Sequence, residues 1–143
     1  MAACLNGSGV KILVMGGTRF VGKPLVAQLL SEGHQLTLFT RGKNPVPAGV
    51  EHLCGDRSSA EGLAALQGRS FDVIVDSSGR TLDDSRAVIE RTGAPSHRFL
   101  YVSSAGVYAD SELWPLTEDS PTDPQSRHSG KLDTEAWLHA EKI

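Results

Sequence analysis

The β-branched run Val10-Lys11-Ile12-Leu13-Val14-Met15 passes directly into Gly16-Gly17-Thr18-Arg19-Phe20-Val21-Gly22, and then into residues of helical period. This junction restricts the fold more than any other feature of the chain. Glycines between a strand and a helix let backbone N–H groups approach a phosphate closely, and the helix N-terminus that follows favours negative charge. An ordinary glycine-rich turn is the alternative; placement after the first strand favours nucleotide binding. Beyond Phe20, Val21, Leu25 and Leu29, flanked by Val26 and Leu30, keep helical spacing up to Gly33. Pro24 is tolerable there only in the first turn.

The same alternation continues. Gln35–Thr40 reads as a second strand, 41–49 as loop, and Glu51–Cys54 as a short third strand ending at Gly55-Asp56. Ser58-Ser59-Ala60-Glu61 has capping-box spacing and predicts a short helix through Leu66. Phe71–Asp76 is the fourth strand, ending in Ser77-Ser78-Gly79. Thr81–Thr92 reads as a helix with Thr81 as N-cap and Leu82, Val88 and Ile89 as apolar members, stopped by Gly93 and Pro95. Arg98–Ser103 is the fifth strand, and a last helix is expected to start at Ser126 or Arg127. Near-continuous apolar strands alternating with helices predict an α/β fold, a doubly wound Rossmann-type parallel sheet of five strands in the order 3-2-1-4-5.

The length suits one domain. Residues 1–9 read as a flexible lead-in and 10–143 as a dinucleotide-binding domain. A chain that stops on a helix, with no strand after it, is expected to be the truncated N-terminal part of a longer protein. Its fifth strand is then an uncovered edge, open to self-association. Net charge is −3, which argues against a strong non-specific grip on nucleic acid. Cys4 and Cys54 are too few for a disulfide framework and suit a reducing compartment. No apolar run approaches membrane-spanning length, and no transit peptide is visible, so a cytoplasmic protein without membrane partners is expected.

Taken with Leu38-Phe39-Thr40-Arg41-Gly42-Lys43, Ser103-Ser104-Ala105-Gly106-Val107-Tyr108 and Ser126-Arg127-His128-Ser129-Gly130-Lys131, the glycine loop resembles that of extended, atypical short-chain dehydrogenases/reductases, the NAD-dependent epimerase/dehydratase family. Within it, these motifs are similar to the chloroplast stem-loop-binding protein branch and its cyanobacterial relatives. Arg19 stands where the family has its middle glycine. The resemblance implies a cradle made of Gly16, Gly17, Thr18, Arg19, Phe20, Val21 and Gly22, with Ser77, Ser78 and Gly79 bordering the pyrophosphate and nicotinamide. It also places Asp56 at the adenine amino group, although an acid at a strand end is equally a turn former.

An acid at the end of the second strand would bond the ribose hydroxyl of NAD, whereas an arginine suits the 2′-phosphate of NADP. Thr40-Arg41, with Arg19 and Lys43 nearby, therefore favours NADP over NAD; the alternative is a solvated basic loop.

The family's catalysis uses a Tyr and a Lys four residues apart, with a Ser from the fifth strand. Ser104 and Lys131 match two of these, but the tyrosine position holds Arg127, which is no proton donor at neutral pH. His128, three residues before Lys131, is the nearest substitute, with a surface histidine as the alternative. Glu135 is expected to pair with Lys131. His52 and Cys54 share a strand face but are too few for a zinc site, so no metal is expected. Asp110, Glu112, Glu118, Asp119 and Asp123 form an acidic loop in which Trp114 and Leu116 suggest contact with something apolar.

Three readings follow. The first is an NADP-binding domain acting on or sensing a nucleotide sugar or similar small-molecule carbonyl substrate. The second is an RNA-binding protein or endoribonuclease of the stem-loop-binding type. The third is a dinucleotide sensor without chemistry.

Overall fold

The computed structural model describes residues 9–110, 112 and 114–143. Most of the expected lead-in, with Cys4, lies outside them; Gly9 packs so tightly that a side chain there would meet the Gly33 carbonyl. Five parallel strands, β1 (Lys11–Met15), β2 (Gln35–Thr40), β3 (Glu51–Cys54), β4 (Val73–Asp76) and β5 (Arg98–Tyr101), form one sheet in the order β3-β2-β1-β4-β5. This is the predicted order. Three α-helices accompany them: α1 (Gly22–Ser31), α2 (Leu82–Thr92) and α3 (Gly130–Glu141).

Strand β1 is central, with Ile12, Leu13, Val14 and Met15 buried between β2 and β4. Its side chains alternate between two cores. Ile12 and Val14 join Val26, Leu36, Leu38 and Val75 beneath α1, whereas Leu13 and Met15 join Phe39, Ile74, Val88, Phe99 and Leu138 beneath α2 and α3. One helix thus covers one face and two cover the other. At the sheet edge, this leaves Leu100 of β5 exposed.

Four local expectations are corrected. The predicted helix through Leu66 is a run of turns closing in a single 3-10 turn, Ala64–Leu66. Gly62 lies so close to the Asp56 backbone that the chain doubles back there, and Ser59, not Ser58, accepts the Gly62 N–H. Strands β4 and β5 are shorter than expected. Val21 is exposed, and α1 is anchored on Val26. The last helix starts at Gly130, because the Ser126 hydroxyl donates to the Gly106 carbonyl and accepts the His128 N–H, holding 126–129 in turns. Helix α2 is as read, with a reciprocal Thr81–Asp84 capping box and Gly93 at its end.

Candidate functional site

The carboxyl ends of the strands meet at the glycine loop. Gly16 and Gly17 take φ of +102° and +92°, a region costly for other residues. A Cβ on Gly16 would lie 2.7 Å from Ser77 Oγ, and one on Gly22 only 2.5 Å from Gly17 Cα. The start of α1 is thereby drawn against the end of β1. Arg19, at the family's glycine position, is exposed and stacks over Phe20, whose ring is 85% exposed. Thr18 lies half-buried between them and Gly17. The cradle is open to a ligand, and the residues present fit a dinucleotide pyrophosphate.

Below this loop lies a network that sequence reading missed. Asp76, at the end of β4, is 0% exposed. Arg57, from the turn after β3, reaches it with two hydrogen bonds of 2.6 and 2.9 Å, and also donates to Ser78 Oγ and the Asp84 carbonyl. Asp76 accepts further bonds from the Ser78 and Gly79 N–H groups and the Ser85 hydroxyl. Burial pushes its carboxyl up, but the Arg57 guanidinium, the Gly79 N–H and Ser85 outweigh it and hold the group below the ordinary carboxylate range. This pair fixes Ser78 and Gly79, while Ser77 donates to the Met15 carbonyl. A charged residue ending an otherwise apolar strand was the available signal.

At the end of β2, Thr40 Oγ1 accepts the Gly42 N–H at 3.0 Å and lies 2.8 Å from His52 Nε2. Arg41 and Lys43 follow, both exposed. Asp56 is held below the usual carboxylate range, first by the Ser58 N–H and further by the charges of Arg41 and Lys43. Arg41, Lys43 and Asp56 therefore share one corner of the crevice.

The catalytic candidates are dispersed. Ser104 caps a 3-10 turn, Ala105–Val107, with its hydroxyl accepting the Gly106 N–H. His128 precedes α3 rather than standing on it beside Lys131. Its ring lies against Gly106, and its Nε2 accepts a hydrogen bond from Arg127 at 3.1 Å, engaging the lone pair that proton transfer would need. Lys131 donates to the Gly79 and Val102 carbonyls at 2.9 Å each, joining the ends of β4 and β5. Burial, assisted by the Arg80 and Arg57 charges, lowers its pKa against the pull of Asp76. Glu135 bonds Ser103 instead of Lys131.

Sequence spacing could not show that Tyr101 approaches Lys131, its hydroxyl 3.4 Å from Nζ. That hydroxyl donates to the Gly79 carbonyl, and burial raises its pKa, so it is held as a donor. Beyond the 3-10 turn opens a cleft of about 610 Å³ lined by Tyr108, Asp110, Glu112, Trp114, Asp123 and Ser126. Trp114 is 76% exposed there, contrary to the expected apolar contact. Among the described residues, no group of three or more His, Cys, Asp or Glu is placed to hold a metal, and no helix is long and apolar enough to cross a membrane.

Comparison with known proteins agrees with this geometry. A family model described as NAD(P)H-binding matches residues 16–142. The chloroplast stem-loop binding protein of 41 kDa b from Arabidopsis thaliana is 39% identical over 149 residues, covering 93% of this chain and 39% of that protein. A Methylobacillus flagellatus structure carrying a provisional assignment as an NAD-dependent epimerase/dehydratase aligns with a TM-score of 0.77 at 31% identity, over 93% of this chain and 51% of that one. A short-chain dehydrogenase/reductase superfamily protein from Agrobacterium tumefaciens with bound NAD aligns with a TM-score of 0.72 at 25% identity, over 92% and 44%. The chain thus spans between two fifths and about half of the length of these relatives. It belongs to the NAD(P)H-binding family, with the fold of the extended short-chain dehydrogenases/reductases and their epimerase/dehydratase members.

Proposed function

We propose that this chain is the NADP-binding part of an epimerase/dehydratase-like protein that acts on or senses a nucleotide sugar or similar carbonyl compound. The observation that carries the cofactor choice is the corner at the end of β2, where Arg41 and Lys43 meet and the residue at the strand end is Thr40, not an acid. A 2′-phosphate is matched by that charge, and a bare ribose is not. The cleft beyond Ser104 supports the substrate class: Tyr108 and Trp114 offer apolar faces and Asp110 and Asp123 offer acceptors for hydroxyls.

Replacing Arg41 with alanine should weaken NADPH binding by about 1–3 kcal/mol and leave NADH binding nearly unchanged. Fluorescence titration of both cofactors checks this; equal wild-type affinities for the two would reject the NADP reading. The chain alone should reduce no carbonyl compound, because Arg127 fills the tyrosine position and engages His128. Turnover of nucleotide sugars with NADPH, followed at 340 nm, would contradict that expectation.

The Arabidopsis relative, named for stem-loop binding, favours a second reading in which this scaffold grips RNA. The acidic cleft opposes it. A gel shift with stem-loop RNA at two salt concentrations separates the readings, since phosphate contacts weaken steeply with salt.

The edge of β5 should also self-associate, because Leu100 is exposed beside a groove that Phe99, Leu138 and Ile143 line together with His97, Arg98, His139 and Lys142. Light scattering across a dilution series should show dimers or larger species; a monomer at every concentration would refute this.

A further inference from the structure

We propose that His52 is a specificity-determining residue that strengthens recognition of the 2′-phosphate when its imidazole is protonated, making the preference for NADPH over NADH depend on pH. The inference rests on the NADP reading above and deepens it.

The geometry comes from the edge of the sheet. His52 lies on β3 opposite Leu38, two residues before Cys54, which is the register partner of Thr40 on β2, and on the same face as Cys54. The loop after β2 is pressed against this face: a Cβ on Gly42, at φ +73°, would lie 2.8 Å from Cys54 Sγ. Thr40 Oγ1 consequently sits between two partners, the Gly42 N–H at 3.0 Å and His52 Nε2 at 2.8 Å.

A hydroxyl has one proton to donate and two lone pairs. The Gly42 N–H occupies one lone pair. When Nε2 is unprotonated, the Thr40 proton is given to it. When Nε2 carries a proton, the bond reverses: His52 donates to the second lone pair, and the Thr40 proton turns outward. Protonating the Nδ1–H tautomer to the cationic form therefore adds one positive charge and one free donor at the strand end where a 2′-phosphate is held, and protonating the Nε2–H tautomer adds the charge alone. NADH, with a hydroxyl there, gains far less.

Other charges facing this corner set the background. Arg41 and Lys43 come from the loop, and Asp56 lies just past β3. Glu32, the C-cap of helix α1 over the same sheet face, lies away from this corner, beside the start of β2, where it is engaged by Gln28 and His34. Glu51, on the strand of His52, is turned to Thr37 and Arg69. The local balance is positive at Arg41 and Lys43, so the site is selective before His52 contributes, and His52 tunes it.

The test measures dissociation constants for NADPH and NADH between pH 6 and pH 8 for the wild type, His52→Gln and Thr40→Val. The 2′-phosphate has its own titration in this range, and His52→Gln reports that component alone. The wild-type preference for NADPH should gain about 5-fold more than that of His52→Gln on going from pH 8 to pH 6, at the low end of usual coupling factors because the site is exposed. Thr40→Val should lose part of this gain. By linkage, the His52 ring signal in NMR should titrate at higher pH with NADPH bound than with NADH bound.

Superimposable profiles for the wild type and His52→Gln would overturn the inference while leaving the NADP reading intact. So would an equal loss of NADPH affinity in His52→Gln at both pH values. Equal wild-type affinity for the two cofactors at every pH would overturn the NADP reading itself, and this inference with it.

Discussion

Arg57→Met should destabilise the protein by about 3–5 kcal/mol at pH 7, the range for breaking a buried ion pair on one side. Arg57 is itself largely buried, its side chain 13% exposed, and it meets a carboxylate with no solvent access. Removing it leaves Asp76 charged and supported only by the Ser78 and Gly79 N–H groups and Ser85. The pH dependence distinguishes this from simple loss of packing. In the wild type, Asp76 titrates below its unfolded value of about 3.9, so its contribution is present above that pH and is lost as the solution is acidified through the lower folded value. Without Arg57, burial is the dominant influence and lifts Asp76 above the unfolded value. The variant then gains stability relative to the wild type as the pH falls. Urea unfolding should show a gap that is widest near pH 7 and narrows towards pH 4. A gap independent of pH would show that the pair acts only through packing. Adding Asp76→Asn to Arg57→Met should recover part of the loss, because no charge is then left buried.

The ion pair also shows where the sequence stopped being legible. Strand order and the glycine loop could be read because they follow from local pattern and from rules of chain connection: a strand, a glycine turn and a helix each announce themselves within a few residues. Arg57 and Asp76 are 19 residues apart, and nothing in spacing joins them before the segment that leaves β3 crosses back past β2 and β1 to the end of β4. The same holds for Tyr101 and Lys131, which meet only because α3 crosses the end of β5. His128 illustrates the opposite failure. Its distance of three from Lys131 places the two on one helix face only if a helix exists there, and the Ser126 hydroxyl fixes the chain in turns until Gly130. Thr81 was legible because its partner, Asp84, lies inside the same turn.

Gly22→Ala should abolish tight dinucleotide binding and cost about 3 kcal/mol of stability, the upper end of usual overpacking losses. The added Cβ would lie 2.5 Å from Gly17 Cα and 2.9 Å from Gly17 C, which are backbone atoms with no rotamer to change. Gly17 cannot retreat, because on its far side stand Leu38 Cδ2, Val14 Cγ1 and Val26 Cγ2, all fully buried. Relief therefore requires the start of α1 to lift from β1, which withdraws Val26 from the core and displaces the loop N–H groups from the phosphate position. Stability and binding should consequently fall together, with NADPH affinity reduced more than 10-fold, on the order of 1.4 kcal/mol or beyond. Gly33→Ala provides the contrast. That residue has φ +81° and no atom within 4 Å of an added Cβ, so it should lose about 1–2 kcal/mol through backbone strain alone and keep its NADPH affinity. Calorimetric titration of both variants with NADPH decides the matter: wild-type affinity in Gly22→Ala would show that this loop is not where the pyrophosphate is held.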